Sequence, residues 1–276
     1  MARLRRLIAM LAGVLALAAC SVADDSARPP LWKATKDGTT VWLLGGMHLL
    51  PPGTDWRGGA VGAAIASADT LVLESDPGDT AGFDAIAKDP SLPPLAKRIE
   101  PTRADTLDQA IARTGQPAGA FDAYKDWAAA VMLGVGDAQD AGATAQDGVD
   151  AVLWQAFAGK KRVALEGPGA QVRVLDLLPP QLQHRMLDEA LDGPRYEAVL
   201  GAWRDGDVAA LDKAGPSKEL RPFLVTAASH RWADRIARAV GGNETLLVAV
   251  GAGHVVGKDS LIDLLKAKGF TIERLQ

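Results

Sequence analysis

The sequence predicts an α/β fold with a central mixed β-sheet, flanked by helices and helical insertions. Short apolar runs typical of strands lie near both ends of the chain, and helical periodicity fills the stretch between them. One strand-turn unit also occurs twice. Four apolar residues, a glycine, two spacers and a histidine at 41–48 recur at 247–254. This duplication predicts two equivalent strands, each ending in a tight turn that carries a histidine.

The first residues have the layout of an export signal. Three arginines precede an apolar run, Leu7–Ala19, which is too short for an ordinary transmembrane helix. The run ends in Leu-Ala-Ala-Cys, which resembles the lipobox of bacterial lipoproteins, and Ser21 resembles those sent to the outer membrane. We therefore expect a signal peptide over 1–19 and a lipid anchor on Cys20, on the periplasmic side of the envelope. An ordinary signal peptide cut nearby is the alternative.

The remaining chain is acidic. The formal net charge is −4, and removal of a leader with three arginines and no acidic residue leaves about −7. This charge argues against nucleic acid as a partner. Cys20 is the only cysteine, which excludes a disulfide within the chain. Residues 20–30 are polar and end in two prolines, so we expect a flexible lipidated tether before a domain over 31–276.

Six strands are expected in this domain. Leu31–Ala34 and Thr39–Leu44 are predicted to form a hairpin, because the Asp-Gly pair between them supplies the positive φ of a tight turn. The last strand follows a helix expected over Ser260–Lys268, which Gly269 would end. The other four predicted strands are Thr70–Leu73, Arg162–Leu165, Thr245–Val250 and Phe270–Leu275.

Helical insertions are expected at about 80–160 and 179–240. Apolar residues recur at three- and four-residue steps from Phe121 to Val135 and from Val149 to Phe157. We interpret these faces as core and not as cofactor-binding segments. A second helical stretch covers Pro180–Ala214 and continues from Pro222 to Val240, with breaks at its Gly-Pro pairs.

Polar side chains follow four of the predicted strands. His48, Glu74, Glu166 and His254 each come directly after an apolar run or its turn. If these strands are parallel neighbours, the four side chains gather at one sheet edge, where open α/β folds bind ligands. Two imidazoles with one or two carboxylates suit a divalent ion such as manganese, cobalt or zinc, with a position left open for water.

Other interpretations of these residues remain open. The two histidines could close loops by hydrogen bonding, and each glutamate could cap a helix or form a salt bridge. Gly45 and Gly251 are expected to leave room where the backbone approaches the site, since neither turn has the spacing of a phosphate-binding loop. A serine hydrolase lacks support, because no Gly-x-Ser-x-Gly occurs.

The order of these motifs resembles the TraB/GumN family, which shares two Gly-x-x-His motifs with the Tiki metalloproteases. The resemblance covers nearly all of the chain after the tether, at 31–33, 44–53, 71–74, 148–150, 159–161, 165–166 and 250–257. It implies a metal site built from His48, Glu74 and His254. We therefore expect a metal-dependent hydrolase, and within that class a peptidase, that uses a metal-bound water on a peptide or other small substrate of the envelope, with Glu74 or Glu166 accepting the proton.

Two positions depart from the family pattern. Gly46 stands where the family usually has threonine or serine, and an arginine-asparagine pair before the late tryptophan helix is missing. Arg231 and Arg221 are the candidates to replace that arginine. Removing a group that stabilises an oxyanion costs about 3 to 4 kcal/mol of transition-state stabilisation. A binding or assembly lipoprotein that keeps the fold without turnover is therefore the alternative function.

Overall fold

The computed structural model describes residues 26–78, 82–241 and 243–276. These residues form one six-stranded mixed sheet with eleven α-helices, which confirms the predicted fold class. The expected signal peptide, Cys20 and the first part of the tether lie outside the described residues. Among the described helices, none has the length and apolar character needed to cross a membrane.

All six predicted strands are present, and each of their ends lies within two residues of the expected one. The sheet order is β4-β3-β5-β2-β1-β6. The four strands from β4 to β2 are parallel neighbours, and β1 is antiparallel to both β2 and β6. The strands are β1 (Leu31–Lys36), β2 (Thr39–Gly46), β3 (Thr70–Leu73), β4 (Lys161–Ala164), β5 (Thr245–Gly251) and β6 (Thr271–Arg274).

The helices occupy the connections between the strands. They are α1 (Gly59–Ser67), α2 (Phe83–Ala87), α3 (Ala104–Arg113), α4 (Asp126–Asp140), α5 (Val149–Ala156), α6 (Ala170–Asp176), α7 (Pro180–Ala190), α8 (Tyr196–Arg204), α9 (Val208–Lys213), α10 (Ala227–Arg238) and α11 (Leu261–Ala267). Short 3-10 turns occur at Leu95–Lys97, Pro101–Arg103 and Ala252–His254. A π-helical segment, Pro222–Thr226, leads directly into α10.

The hairpin between β1 and β2 has the predicted tight turn. Asp37 and Gly38 form its two-residue loop, with φ angles of 47° and 81°. Positive φ at both positions is the geometry of a type I′ turn, whose twist matches that of the flanking strands.

The two copies of the duplicated unit lie side by side in the sheet. β2 and β5 are parallel neighbours, so both histidine turns leave the same edge. The pairing register is one residue away from the sequence repeat, because Gly251 lies opposite Gly46 and not opposite Gly45. The repeat therefore predicts the neighbouring strands but not their register.

The hydrophobic core has a main part on the sheet and a second part among helices. The main core joins the strands to α1, α5, α8, α10 and α11, and it includes the fully buried Trp203. The second core lies between α3, α4 and α7, around Leu107, Leu133 and Leu187. Apolar faces of the insertions thus pack as core, as expected from their periodicity.

Two local expectations are corrected. The end of the predicted flexible tether packs on the domain: Ala27 is 7% exposed, and its N–H donates to the carbonyl of Asp55 at 2.6 Å. Phe121 and Tyr124 continue the periodicity of α4 but lie in the turn before it. Tyr124 there pairs with Lys88 through an isolated bridge, which holds its backbone out of the helix.

Candidate functional site

The sheet edge brings the four predicted site residues close together. His48, Glu74, Glu166 and His254 follow β2, β3, β4 and β5, which are consecutive in the parallel part of the sheet. A cavity of about 250 Å³ borders Glu74, Glu166 and His254. A second cavity of about 350 Å³ borders His48 and again Glu74. Glu74 therefore lies between the two histidines and faces both cavities.

Three of the four side chains surround one point next to Gly251. A Cβ atom at Gly251 would lie 3.3 Å from Glu74 Oε1, 3.7 Å from His254 Cδ2 and 3.8 Å from His48 Nε2. A side chain at this position would enter the space where the three groups meet. Gly45 has a different role, since its Cβ would contact Val255 Cγ2 at 2.9 Å, in the main core.

Glu74 is almost completely buried and both of its carboxylate oxygens accept hydrogen bonds. The main-chain N–H of Gly251 donates to Oε1 at 2.6 Å. The side-chain amide of Gln171, on α6, donates to Oε2 at 2.7 Å. Because the residue is only 5% exposed, these two donors hold the carboxylate in one orientation.

His254 is held by α10. Its Nδ1 atom lies 3.0 Å from the hydroxyl oxygen of Ser229, and that hydroxyl can donate to the carbonyl of Val225 at 2.9 Å. Because the hydroxyl proton of Ser229 is used in this bond, the hydroxyl oxygen accepts a hydrogen bond from Nδ1–H of His254. The Nε2 atom of His254 then keeps its lone pair. Trp232 packs on the imidazole with ring centroids 4.4 Å apart. Burial lowers the pKa of His254 despite the opposing charge of Glu74, so the neutral ring is favoured.

His48 is held by α5. Its Nδ1 atom lies 2.6 Å from Oδ2 of Asp150. Burial of the ring by itself lowers the pKa of His48, but the charge and hydrogen bond of Asp150, with the charge of Glu74, raise it to about 9. The side chain nevertheless keeps 57% of its surface open, so solvent screening weakens the Asp150 contribution.

The donor set partly fits a divalent ion. Nδ1 of each imidazole contacts a second residue, which is how proteins usually orient metal-binding histidines. His254 Nε2 lies 3.9 Å from Glu74 Oε1, too far for a hydrogen bond but within the span of two ligands bonded to one ion. Within the described residues, no group of three His, Cys, Asp or Glu side chains is arranged to hold an ion.

Glu166 faces the cavity beside His254 but forms an ion pair of its own. Its Oε1 atom accepts from Arg231 at 2.7 Å, and its side chain is 7% exposed. Arg231 borders the same cavity. Arg221 instead pairs with Asp212 and donates to the carbonyl of Val256. Of the two candidate arginines, Arg231 is therefore the one that borders the cavity.

The remaining histidines lie apart from this site. His184, on α7, contacts Asp126 at 2.9 Å, and His230 is exposed on α10. His184 is partly enclosed, because Asp126 from α4 faces it. A larger cavity of about 760 Å³, lined by residues of α7, α8 and α9, contains none of the four predicted site residues.

Asp150, Gln171 and Ser229 contact the predicted site residues but were not singled out from the sequence. Asp150 lies in the Gly-Val-Asp segment that carries part of the family resemblance, and this was the available signal for it. Gln171 lies on a helix 97 residues from Glu74, and Ser229 lies on a helix 25 residues from His254. Ordinary helical positions gave no sign of their contacts with Glu74 and His254.

The chain matches a recognised protein family. The TraB/PrgY/gumN family profile matches residues 30–274, so the chain belongs to this family. No solved structure matches the chain.

The individual relatives that match the chain are 25% to 34% identical to it over the matched residues. The protein named metalloprotease TIKI homolog of Amphimedon queenslandica is 34% identical over 70 residues, which cover 23% of this chain and only 14% of that protein. The uncharacterized protein YbaP of Escherichia coli K12 is 25% identical over 211 residues, covering 73% of this chain and 78% of that protein. YbaP of Shigella flexneri gives the same values.

Proposed function

We propose that this protein is a metal-dependent hydrolase of the cell envelope, and that it acts as a peptidase. The observation that carries the proposal is the 3.9 Å separation of His254 Nε2 and Glu74 Oε1. Two ligands bonded to one ion at about 2 Å each are roughly 3.3 Å apart in tetrahedral geometry and up to about 4 Å apart when they lie opposite one another. The observed separation is near the tetrahedral spacing, and a small approach would reach it. Membership of a family with a relative named as a metalloprotease homolog supports the peptidase class.

In this proposal, His48, Glu74 and His254 hold a manganese, cobalt or zinc ion. Such an ion, when bound, acidifies a water molecule and polarises a carbonyl group of the substrate. Asp150 and Ser229 fix the imidazole orientations, each through an Nδ1 atom. Because Glu74 serves as a ligand here, Glu166 is the nearby carboxylate left to accept a proton in the cavity that it shares with His254.

We also propose that the protein is exported and remains on the periplasmic side of the envelope, at the outer membrane. The arginine-led apolar run and the Leu-Ala-Ala-Cys ending support a lipid anchor on Cys20. The acidic charge supports peptides or other small molecules as partners and disfavours nucleic acid.

A binding or assembly lipoprotein without turnover is the second candidate. Both oxygens of Glu74 already accept hydrogen bonds from Gly251 and Gln171, as expected of a carboxylate with a structural role. An ion that binds through Oε1 must displace the Gly251 contact or share the oxygen with it. This competition is the specific observation that favours the second candidate.

Metal analysis and a peptide assay distinguish the two candidates. The protein is purified without chelators, its metal content is measured, and a broad peptide library is tested with manganese, cobalt and zinc supplied separately. We expect about one ion per chain and hydrolysis that chelation abolishes. His254→Ala should lose both properties, whereas His184→Ala, a matched control outside the site, should keep them. Protein that binds none of the three ions, or peptide cleavage that survives His254→Ala, would overturn the hydrolase proposal.

A further inference from the structure

The cavity beside His254 has one polar side and one apolar side. Glu74, Glu166 and His254 border it at the sheet edge. The opposite wall is apolar and comes from three helical segments: Val174 and Leu175 of α6, Phe223 and Leu224 of the π-helical segment, and Ala228 and Trp232 of α10. An apolar wall that faces ionisable groups is typical of a site that binds one part of a ligand and holds another part against the reacting groups.

The volume of the cavity indicates what it can hold. At about 250 Å³ it is smaller than the roughly 300 to 1,000 Å³ of pockets that enclose a whole drug-sized ligand. A single side chain with its adjoining peptide group is therefore a better match than an entire substrate. Phe223 lines this cavity and is 43% exposed, so the apolar wall continues to the protein surface.

Trp232 joins the apolar wall to the histidine. The residue is 1% exposed, and its ring packs on the imidazole of His254 with ring centroids 4.4 Å apart. A ligand side chain in the cavity would therefore lie against the wall next to His254, and Trp232 can report on its binding.

The charges around the cavity disfavour an acidic side chain, and the apolar wall disfavours any charged one. Glu74 and Glu166 both border the cavity, and Arg231 is the one cationic lining residue within the described part of the chain. An acidic side chain would meet two carboxylates, of which Arg231 contacts one. The carboxylates would attract a lysine or arginine side chain, but its charge would lose hydration against the apolar wall. The charges and the wall together therefore favour an apolar side chain.

We propose that this cavity is a specificity subsite for an apolar side chain of a peptide. This inference rests on the proposed peptidase function for its choice of ligand class. Binding in the cavity requires neither an ion nor turnover, so it can be tested separately from hydrolysis.

Fluorine NMR on the full chain, labelled with 5-fluorotryptophan and kept in chelator, tests the subsite. The signal of Trp232 is identified by its loss in Trp232→Phe. The probes are acetyl-Gly-Leu-Gly-amide and acetyl-Gly-Asp-Gly-amide. We expect the leucine peptide to shift the Trp232 signal and to bind at least about tenfold more tightly than the aspartate peptide.

Two surface substitutions provide a matched pair. Phe223→Ser removes part of the apolar wall and should weaken binding of the leucine peptide at least about threefold. Leu177→Ser changes a residue that is 81% exposed and does not line the cavity, so binding should be unchanged. Both positions are exposed enough for the variants to fold.

The outcomes separate the subsite from the hydrolase proposal. Equal binding of the two peptides, an unmoved Trp232 signal, or wild-type binding by Phe223→Ser overturns the subsite. Tight binding of the leucine peptide by a chain that cleaves no peptide with any ion supports the subsite and overturns the hydrolase proposal. Cleavage that is indifferent to leucine, with no Trp232 shift, overturns the subsite alone.

Discussion

The carboxylate of Glu74 accepts a hydrogen bond of 2.6 Å from the main-chain N–H of Gly251, a residue 177 positions further along the chain. This bond ties the end of β3 to the turn that carries the second histidine. Gly251 is also the residue around which Glu74, His48 and His254 gather. The geometry of the candidate metal site therefore depends on a small residue at this position.

Gly251→Ala should disturb the site while leaving the fold intact. The backbone angles of Gly251, φ −50° and ψ 136°, suit alanine, so stability should change by less than about 1 kcal/mol. The new Cβ would lie 3.3 Å from Glu74 Oε1, a contact close enough to displace the carboxylate. We expect metal affinity to fall at least about tenfold, or about 1.4 kcal/mol, measured by calorimetry.

Gly253→Ala is the control for this change. A Cβ atom at Gly253 would have no neighbour within 4 Å, although the residue lies in the same turn. Its metal affinity should match that of the wild type. Equal affinities for both alanine variants would show that the space beside Gly251 has no importance for the ion.

The two histidines should behave as one unit in hydrolysis. If both imidazoles hold the same ion, removing either one already removes the assembled site. His48→Ala, His254→Ala and the double variant should then fall to nearly the same residual rate, measured on the peptide that the wild type cleaves best. Losses that multiply in the double variant would indicate separate roles for the two side chains.

Glu74→Gln should distinguish a ligand from a proton acceptor. A glutamine keeps the size of the side chain but is a weaker ligand and cannot take up a proton. If Glu74 is a ligand, as we propose, the variant should lose bound metal and rate together. Metal analysis beside the rate measurement decides this. Retention of the ion with loss of most of the rate would instead identify Glu74 as the general base.

Asp150→Asn should lower the pKa of His48 in the metal-free protein. The pKa is about 9 in the folded chain, above its ordinary value of 6.5, chiefly because of the Asp150 carboxylate. NMR titration of the imidazole should show it moving toward 6.5 in the variant. A raised folded pKa stabilises the protein below 6.5, and this contribution disappears as pH rises through 9.

The stability difference between wild type and Asp150→Asn should therefore be larger at pH 6 than at pH 10, as measured by chemical denaturation. The effect should be small, because His48 is 57% exposed and the ion pair is screened. An unchanged His48 titration in the variant would mean that the 2.6 Å contact is absent in solution.

Cys20 should be the first residue of the mature protein and should carry lipid. The arginine-led apolar run that ends in Leu-Ala-Ala-Cys is the basis for this expectation. Mass spectrometry of the protein from native membranes measures it directly, and Cys20→Ala should release the protein from the membrane fraction. An unmodified N-terminus at another residue would contradict it.

The sequence predicted most of the sheet, because each strand has a local signal. Apolar runs ending in glycine marked β2 and β5, and an Asp-Gly pair marked the first turn. The duplicated histidine motif further indicated that β2 and β5 are equivalent, and they lie side by side. Local patterns could not give the pairing register, which depends on packing across the whole sheet.

The residues that support the site were harder to predict. Ser229 contacts His254, and Gln171 contacts Glu74, only because α10 and α6 pack over the sheet edge. Serine and glutamine occupy many helix positions without any special role, so their identity carries no signal. The role of Asp150 was equally difficult to predict, since its contact with His48 depends on how α5 is placed relative to the turn after β2.

The placement of β2 beside β5 has a consequence for the time at which any activity can begin. β2 (Thr39–Gly46) is synthesised long before β5 (Thr245–Gly251) and its histidine. A chain whose synthesis has not yet reached β5 lacks the second imidazole and the Gly251 N–H that orients Glu74. The site is therefore completed only when β5 enters the sheet, so chains that stop before β5 should be inert.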